Sequence, residues 1–70
     1  MKLDPQTKEL VAIAAALAVK CQPCYAYHRK RARELGVGDE LIREALAVAK
    51  EVRDAADRKM DDFIERQTTE

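Results

Sequence analysis

Tryptophan and asparagine are absent from this 70-residue chain, glycine and proline occur twice each, and aromatic residues make up 4%. With so few breakers the sequence suits long helices, and no stretch of it reads as a strand. The missing asparagine, set beside 37% charged residues, is a weak thermophile signature. No charge excess exists either. Lys and Arg number 13 and so do Asp and Glu, so the net charge is zero and nothing draws the chain to nucleic acid or anionic lipid in general. Apolar residues reach 47%, too many for a disordered chain. The one long apolar run, Leu10 to Val19, is too short to span a bilayer. It follows Asp4 and Glu9 and ends at Lys20 without a small-residue cleavage site, so neither a membrane segment nor a secretory signal is expected. The expected location is the cytoplasm, where a cysteine pair is redox-active or metal-binding rather than a structural staple.

Three helices are expected in a single all-α domain, residues 1–70. Asp4-Pro5 supplies an N-cap carboxylate and a proline at the first helical position, and nothing interrupts the pattern from there to about Lys20. Because Leu10 to Val19 is apolar all the way round, this helix should be buried on every side, and two other helices from so short a chain cannot surround it. Neighbouring subunits are expected to complete the burial. The second helix starts around Pro23 and stops before Gly36, the expected left-handed cap. The third opens with Asp39 as N-cap. It carries Leu41, Ala45, Val48, Val52, Ala56, Met60 and Phe63 as a seam for another helix, in the same chain or in a partner. Gln67 to Glu70 should fray.

Chemistry concentrates in Cys21-Gln22-Pro23-Cys24 with His28. These are the only two cysteines and the only histidine. Positions i, i+3 and i+7 share one face of a helix. A free thiol has a pKa of about 8.5 and is about 3% thiolate at neutral pH. A helix N-terminus or a cationic histidine raises that fraction. Cys24, one turn before His28, is the candidate for the activated thiolate. Cys21, at what should be the more open helix entrance, is the candidate resolving or exchanging partner. Pro23 stiffens the turn between them and removes one backbone donor.

Glu9 extends the group to Glu-x11-Cys-x2-Cys-x3-His. With that spacing, the stretch from Lys8 to Leu46, KELVAIAAALAVKCQPCYAYHRKRARELGVGDELIREAL, resembles the AhpD-like alkylhydroperoxidases of the carboxymuconolactone decarboxylase family. The resemblance implies an all-helical subunit assembled into trimers or hexamers, with a cysteine pair that reduces hydroperoxides and is recycled by a dithiol donor. It implies that Cys24 attacks the peroxide, that Cys21 resolves the sulfenic acid as a disulfide, and that His28 and Glu9 form a proton relay. The best-known peroxidases of the family carry a second histidine directly before the second cysteine. Here that residue is Pro23, which implies a relay one member short and a greater share of general disulfide exchange. The lactone-decarboxylating branch typically lacks the cysteine pair, so this chain does not resemble a decarboxylase.

Other readings of the same residues are less well supported. Two cysteines and one histidine are good zinc ligands, but structural zinc takes four, and Glu9 or a neighbouring subunit would have to complete the set. A zinc-binding or helical interaction module is therefore the alternative, and neither metal nor cofactor is expected. Covalent haem attachment fails because histidine does not directly follow Cys24. Tyr25 and Tyr27 are expected to pack at a helix interface. The run His28-Arg29-Lys30-Arg31-Ala32-Arg33 reads as a solvated helix face. Ala32, Gly36 and Ile42 also match a helix-turn-helix, yet the recognition helix would then open with Asp39-Glu40, which repel phosphates, so no nucleic-acid partner is expected.

Overall fold

The computed structural model describes residues 1–69 as three helices. These are α1 (Pro5–Ala18), α2 (Gln22–Glu34) and α3 (Asp39–Thr69). The expected cap of α1 forms. Asp4 accepts the Thr7 amide at 2.8 Å and the Thr7 hydroxyl at 2.9 Å, and proline fills the first turn.

Helix α1 ends at Ala18, two residues before the expected Lys20. The reason is a left-handed residue at Lys20 itself (φ 61°). Its amide donates to the Leu17 carbonyl at 3.1 Å, and the Cys21 amide donates back to Ala16 at 2.9 Å. This is a Schellman stop. The end of α2 repeats it, with Gly36 at φ 85°, its amide on Arg33 and the Val37 amide on Ala32, both at 3.0 Å. Gly36 takes that conformation without steric cost. A side chain there, as at Lys20, costs roughly 1–2 kcal/mol.

Two details of α3 differ from expectation. Asp39 is its first helical residue rather than its cap. The Gly38 carbonyl receives the amides of Leu41 (3.1 Å) and Ile42 (3.3 Å), and the Asp39 carboxylate faces Arg33 at 3.4 Å. At the other end the helix does not fray at Gln67 but continues to Thr69, with the Thr68 and Thr69 hydroxyls donating to carbonyls one turn back. Glu70 lies outside the described residues.

Helix α1 is the centre of the arrangement: α2 and α3 each pack against it and scarcely touch one another. Ile13 on α1 is fully buried against Ala32, Val37 and Ile42, with Leu10, Tyr25 and Leu46 around them. Ala16 and Ala49 are also buried, and such small side chains allow close helix approach. Gln6 donates to the Leu35 carbonyl at 2.8 Å, tying the start of α1 to the end of α2. Ala32, Gly36 and Ile42 are thus core and turn residues, which accounts for their helix-turn-helix spacing.

The seam expected on α3 is not the face that α1 covers. Ile42 and Ala49 are buried and Leu46 is half-buried. Leu41, Val48, Val52, Met60 and Phe63 are exposed. At 100° per residue the two stripes lie roughly a quarter turn apart, and α1 docks on the first. Nor is α1 buried on every side within the chain, since Val11 remains exposed, as does Val19 at its cap. With 31 residues against the 14 of α1, α3 measures about 46 Å against about 21 Å. Its second half therefore projects past the bundle. No helix among the described residues is long and apolar enough to cross a membrane.

The α1 cap makes stability pH-dependent. Hydrogen bonds from the Thr7 amide and hydroxyl favour the Asp4 carboxylate and hold its pKa below the ordinary aspartate value. The resulting stabilisation is present above that ordinary value and is lost as pH falls through the lowered one. Thermal melts followed by circular dichroism should show Asp4→Ala less stable than wild type at neutral pH, with the difference vanishing in acid. Asp4→Asn, which keeps a cap acceptor, should lose the acid dependence contributed by this residue.

Candidate functional site

Cys21 has two structural duties. It is the last residue of the α1 stop and the N-cap of α2, so only Val19, Lys20 and Cys21 separate the helices. Its sulfur accepts the Cys24 amide at 3.3 Å, doing with Sγ what a serine or aspartate oxygen does at other helix starts. Cys24 lies one turn in, and the two residues form a disulfide with Cα atoms 5.2 Å apart. Pro23 sits in the first turn, where its missing amide leaves no helix bond unmade. The exposures reverse the expectation for the entrance. Cys24 is exposed, whereas Cys21 is half-buried because the joint between two helices encloses it.

Glu9 and His28 are brought together across the α1–α2 interface. Glu9 Oε2 lies 2.6 Å from His28 Nδ1. The carboxylate is the buried charged group of the subunit, 5% exposed, and the imidazole is 29% exposed. An ionised carboxylate can only accept, so Nδ1 donates the hydrogen bond and the neutral ring keeps its lone pair on Nε2. His28 follows Cys24 by one helical turn, a spacing that places Cβ atoms about 5–6 Å apart. The ring is fixed on another side by Tyr27, edge-on with centroids 5.0 Å apart.

The assembled group comprises two sulfurs at a helix start and an imidazole held by a buried carboxylate one turn further on. Among the described residues no three His, Cys, Asp or Glu side chains are grouped to hold a metal ion. Tyr27 departs from its expected role, since it is exposed and meets His28 rather than filling a helix interface, while Tyr25 does pack on the core. The basic run divides. Ala32 is core, Arg31 pairs with Glu34 and Arg33 with Asp39.

Sequence reasoning missed an open groove of about 600 Å³ beside Cys21. Leu17, Tyr25 and Leu46 contribute its apolar surface, and Lys20 and Lys50 also line it. Leu46 and Lys50 are one turn apart on α3, but their approach to Cys21 is set by how α3 docks on α1.

Fold and site together define a small all-helical protein with a Cys-x-x-Cys pair at a helix start. The model of the carboxymuconolactone decarboxylase family matches residues 1–59, and the chain belongs to that family. A curated relative, "Uncharacterized protein 4 in cox locus" of Paracoccus denitrificans, is 44% identical over 54 residues, covering 77% of this chain and 49% of its own length. The chain thus spans about half the length of that relative. No solved structure matches.

The buried carboxylate supplies a direct stability test. His28→Ala strands Glu9 without its partner and should destabilise the subunit by about 1–3 kcal/mol, the cost of an unsatisfied buried polar group. Glu9→Gln keeps a hydrogen-bonding side chain against the imidazole and should cost less. In chemical denaturation the double variant should fall short of the summed single effects, because both remove one interaction.

Proposed function

We propose that the chain is a thiol–disulfide oxidoreductase of the alkylhydroperoxidase type, with Cys24, Cys21, His28 and Glu9 as its working residues. The observation carrying this reading is the Cys21–Cys24 disulfide at the start of α2, one turn from an imidazole anchored on a buried carboxylate. In the reduced protein the Cys24 thiol gives its proton to His28, whose orientation Glu9 fixes. The thiolate attacks one peroxide oxygen, the O–O bond breaks, and the departing alkoxide takes a proton to leave as alcohol. Cys24 is then a sulfenic acid. The Cys21 thiolate attacks that sulfur, water leaves, and the disulfide forms. A dithiol donor returns two electrons and two protons by thiol–disulfide exchange and becomes a disulfide itself.

Exposure of Cys24 suits its part as the attacking sulfur, and partial burial of Cys21 suits a residue that reacts afterwards. Pro23 occupies the position where the best-known family peroxidases have a second histidine, so partner disulfides are substrates alongside hydroperoxides. Cys24→Ser should abolish peroxide consumption driven by a dithiol. Cys21→Ser should still form a sulfenic acid at Cys24, trapped by dimedone, but not turn over. Full turnover in the Cys24 variant would exclude the mechanism. A stoichiometric zinc ion in the purified protein, lost in Cys21→Ser, would favour the metal-binding alternative.

The working form is a homo-oligomer, a trimer or hexamer as in the family. Support comes from the apolar side chains the subunit leaves uncovered: Val11 on α1, and Val48, Val52 and Phe63 on α3. The steps from Leu41 through Val52 to Phe63 are eleven residues each, a spacing that keeps them on one side of a nearly straight helix. Light scattering should give a mass several times the 7.9 kDa of one chain. The double change Val52→Glu and Phe63→Glu should lower it; an unchanged mass would place the contact elsewhere.

A further inference from the structure

The end of α3 carries a surface that the subunit does not use. The family match stops at residue 59, and the helix runs on to Thr69. Met60, Phe63 and Ile64 stand there as a ridge, each between 48% and 58% exposed. At 100° per residue the three span about 100° of the helix surface. Asp57 and Asp61, one turn apart, border the ridge beside Ile64, while Lys59 and Arg66 fall beyond Phe63. Both aspartates are exposed and neither forms an ion pair among the described residues.

The groove beside Cys21 has the opposite character. Leu17, Tyr25 and Leu46 give it an apolar floor, and Lys20 and Lys50 are its charged lining residues. Both lysines are exposed and outside any ion pair among the described residues, and no acidic side chain lines the groove. Lys20 also stands at φ 61°, where the equivalent residue of the other Schellman stop is Gly36. Stability alone would put glycine at both. The strained position brings a cation to the groove.

We propose that this groove receives the end of α3 from a second copy of the chain, so that each candidate site is walled by a neighbour's Met60, Phe63 and Ile64. The proposal rests on the oligomer reading above and adds the two surfaces that meet. Charge complementarity selects the occupant: the aspartate edge of the ridge faces Lys20 and Lys50, and the Lys59 edge faces away. The chain's own ridge cannot serve. Lys50 and Met60 lie ten residues apart on one unbroken helix, about 15 Å along its axis. Each subunit therefore gives a ridge and receives one on a different face, a head-to-tail contact that closes into a ring. The cysteine at the groove is thereby covered on that side by another subunit.

Charge reversal on full-length protein tests the contact, with association followed by light scattering across a concentration series. Lys20→Glu with Lys50→Glu, or Asp57→Lys with Asp61→Lys, should each raise the concentration needed for assembly about tenfold or more. All four changes in one chain should bring it back to within about threefold of wild type. Arg58→Glu, on the opposite side of α3, should leave it unchanged. In a second measurement, protein carrying photoreactive benzoylphenylalanine in place of Phe63 is mixed with nitrogen-15-labelled wild type and irradiated. Crosslinked peptides should join the two isotopic forms and map to Leu17, Tyr25 or Leu46. An oligomer indifferent to both reversals, no recovery in the fourfold variant, or crosslinks to another surface would overturn the proposal and leave the oligomer reading standing. A monomer at every concentration would remove both.

Discussion

The joint at Cys21 is the constraint on which the rest of the subunit depends. One residue closes the hydrogen bonds that end α1 and opens those that begin α2. Because only three residues separate the helices, the direction of α2 and the position of its first turn follow from where α1 stops. That same turn carries the second sulfur, and one further turn carries the imidazole. A loop inserted here would free the cysteines from α1, and with them the relation between His28 and a carboxylate on that helix. Lys20, held left-handed, is the cost of making the joint so short.

The Glu9–His28 contact binds the same two helices from the other end of the site. A buried carboxylate is costly without a partner, so α1 and α2 must meet in the register that supplies one. The pair aligns the helices and also fixes which ring nitrogen is free. By contrast, the disulfide does little to hold the fold. Its cysteines are three residues apart. Closing so small a loop removes about 2 kcal/mol of unfolded-state entropy in the chain-entropy account, less than a long-range bridge would. It joins a helix cap to the first turn of its own helix and spans no tertiary interface. A crosslink so placed is suited to opening and closing without unfolding the subunit.

Much of this was legible in the sequence because it is local. The Asp4-Pro5 start, the Gly36 stop and the phase of Cys21, Cys24 and His28 depend on neighbours within a turn or two. The family resemblance added Glu9, whose partner lies 19 residues away and which no local pattern identifies. What could not be read depends on packing or on hidden backbone choices. Lys20 looks like an ordinary helix residue until its φ is known. Cys21 looks like the open end of a helix until α1 is seen to stop against it. The groove needs Leu46 and Lys50 from α3, whose approach no local pattern encodes.

The exposed seam on α3 has the same origin and a wider consequence. Periodicity identifies an apolar stripe but not its neighbour, and α3 carries more apolar surface than one neighbour can cover. Helix α1 takes the stripe through Ile42, Leu46 and Ala49, leaving Leu41, Val48 and Val52 to solvent. Beyond the bundle, every described residue of α3 after Ala55 is exposed, and isolated helices of that length are marginal in water. An all-round apolar α1 that two helices cover incompletely raises the same demand from the centre of the fold. In the proposed oligomer both demands are met by one event, the docking of further subunits. Glu9 lies on α1 and Cys21 in the stop that follows it, so assembly and the geometry of the candidate site would share a single helix.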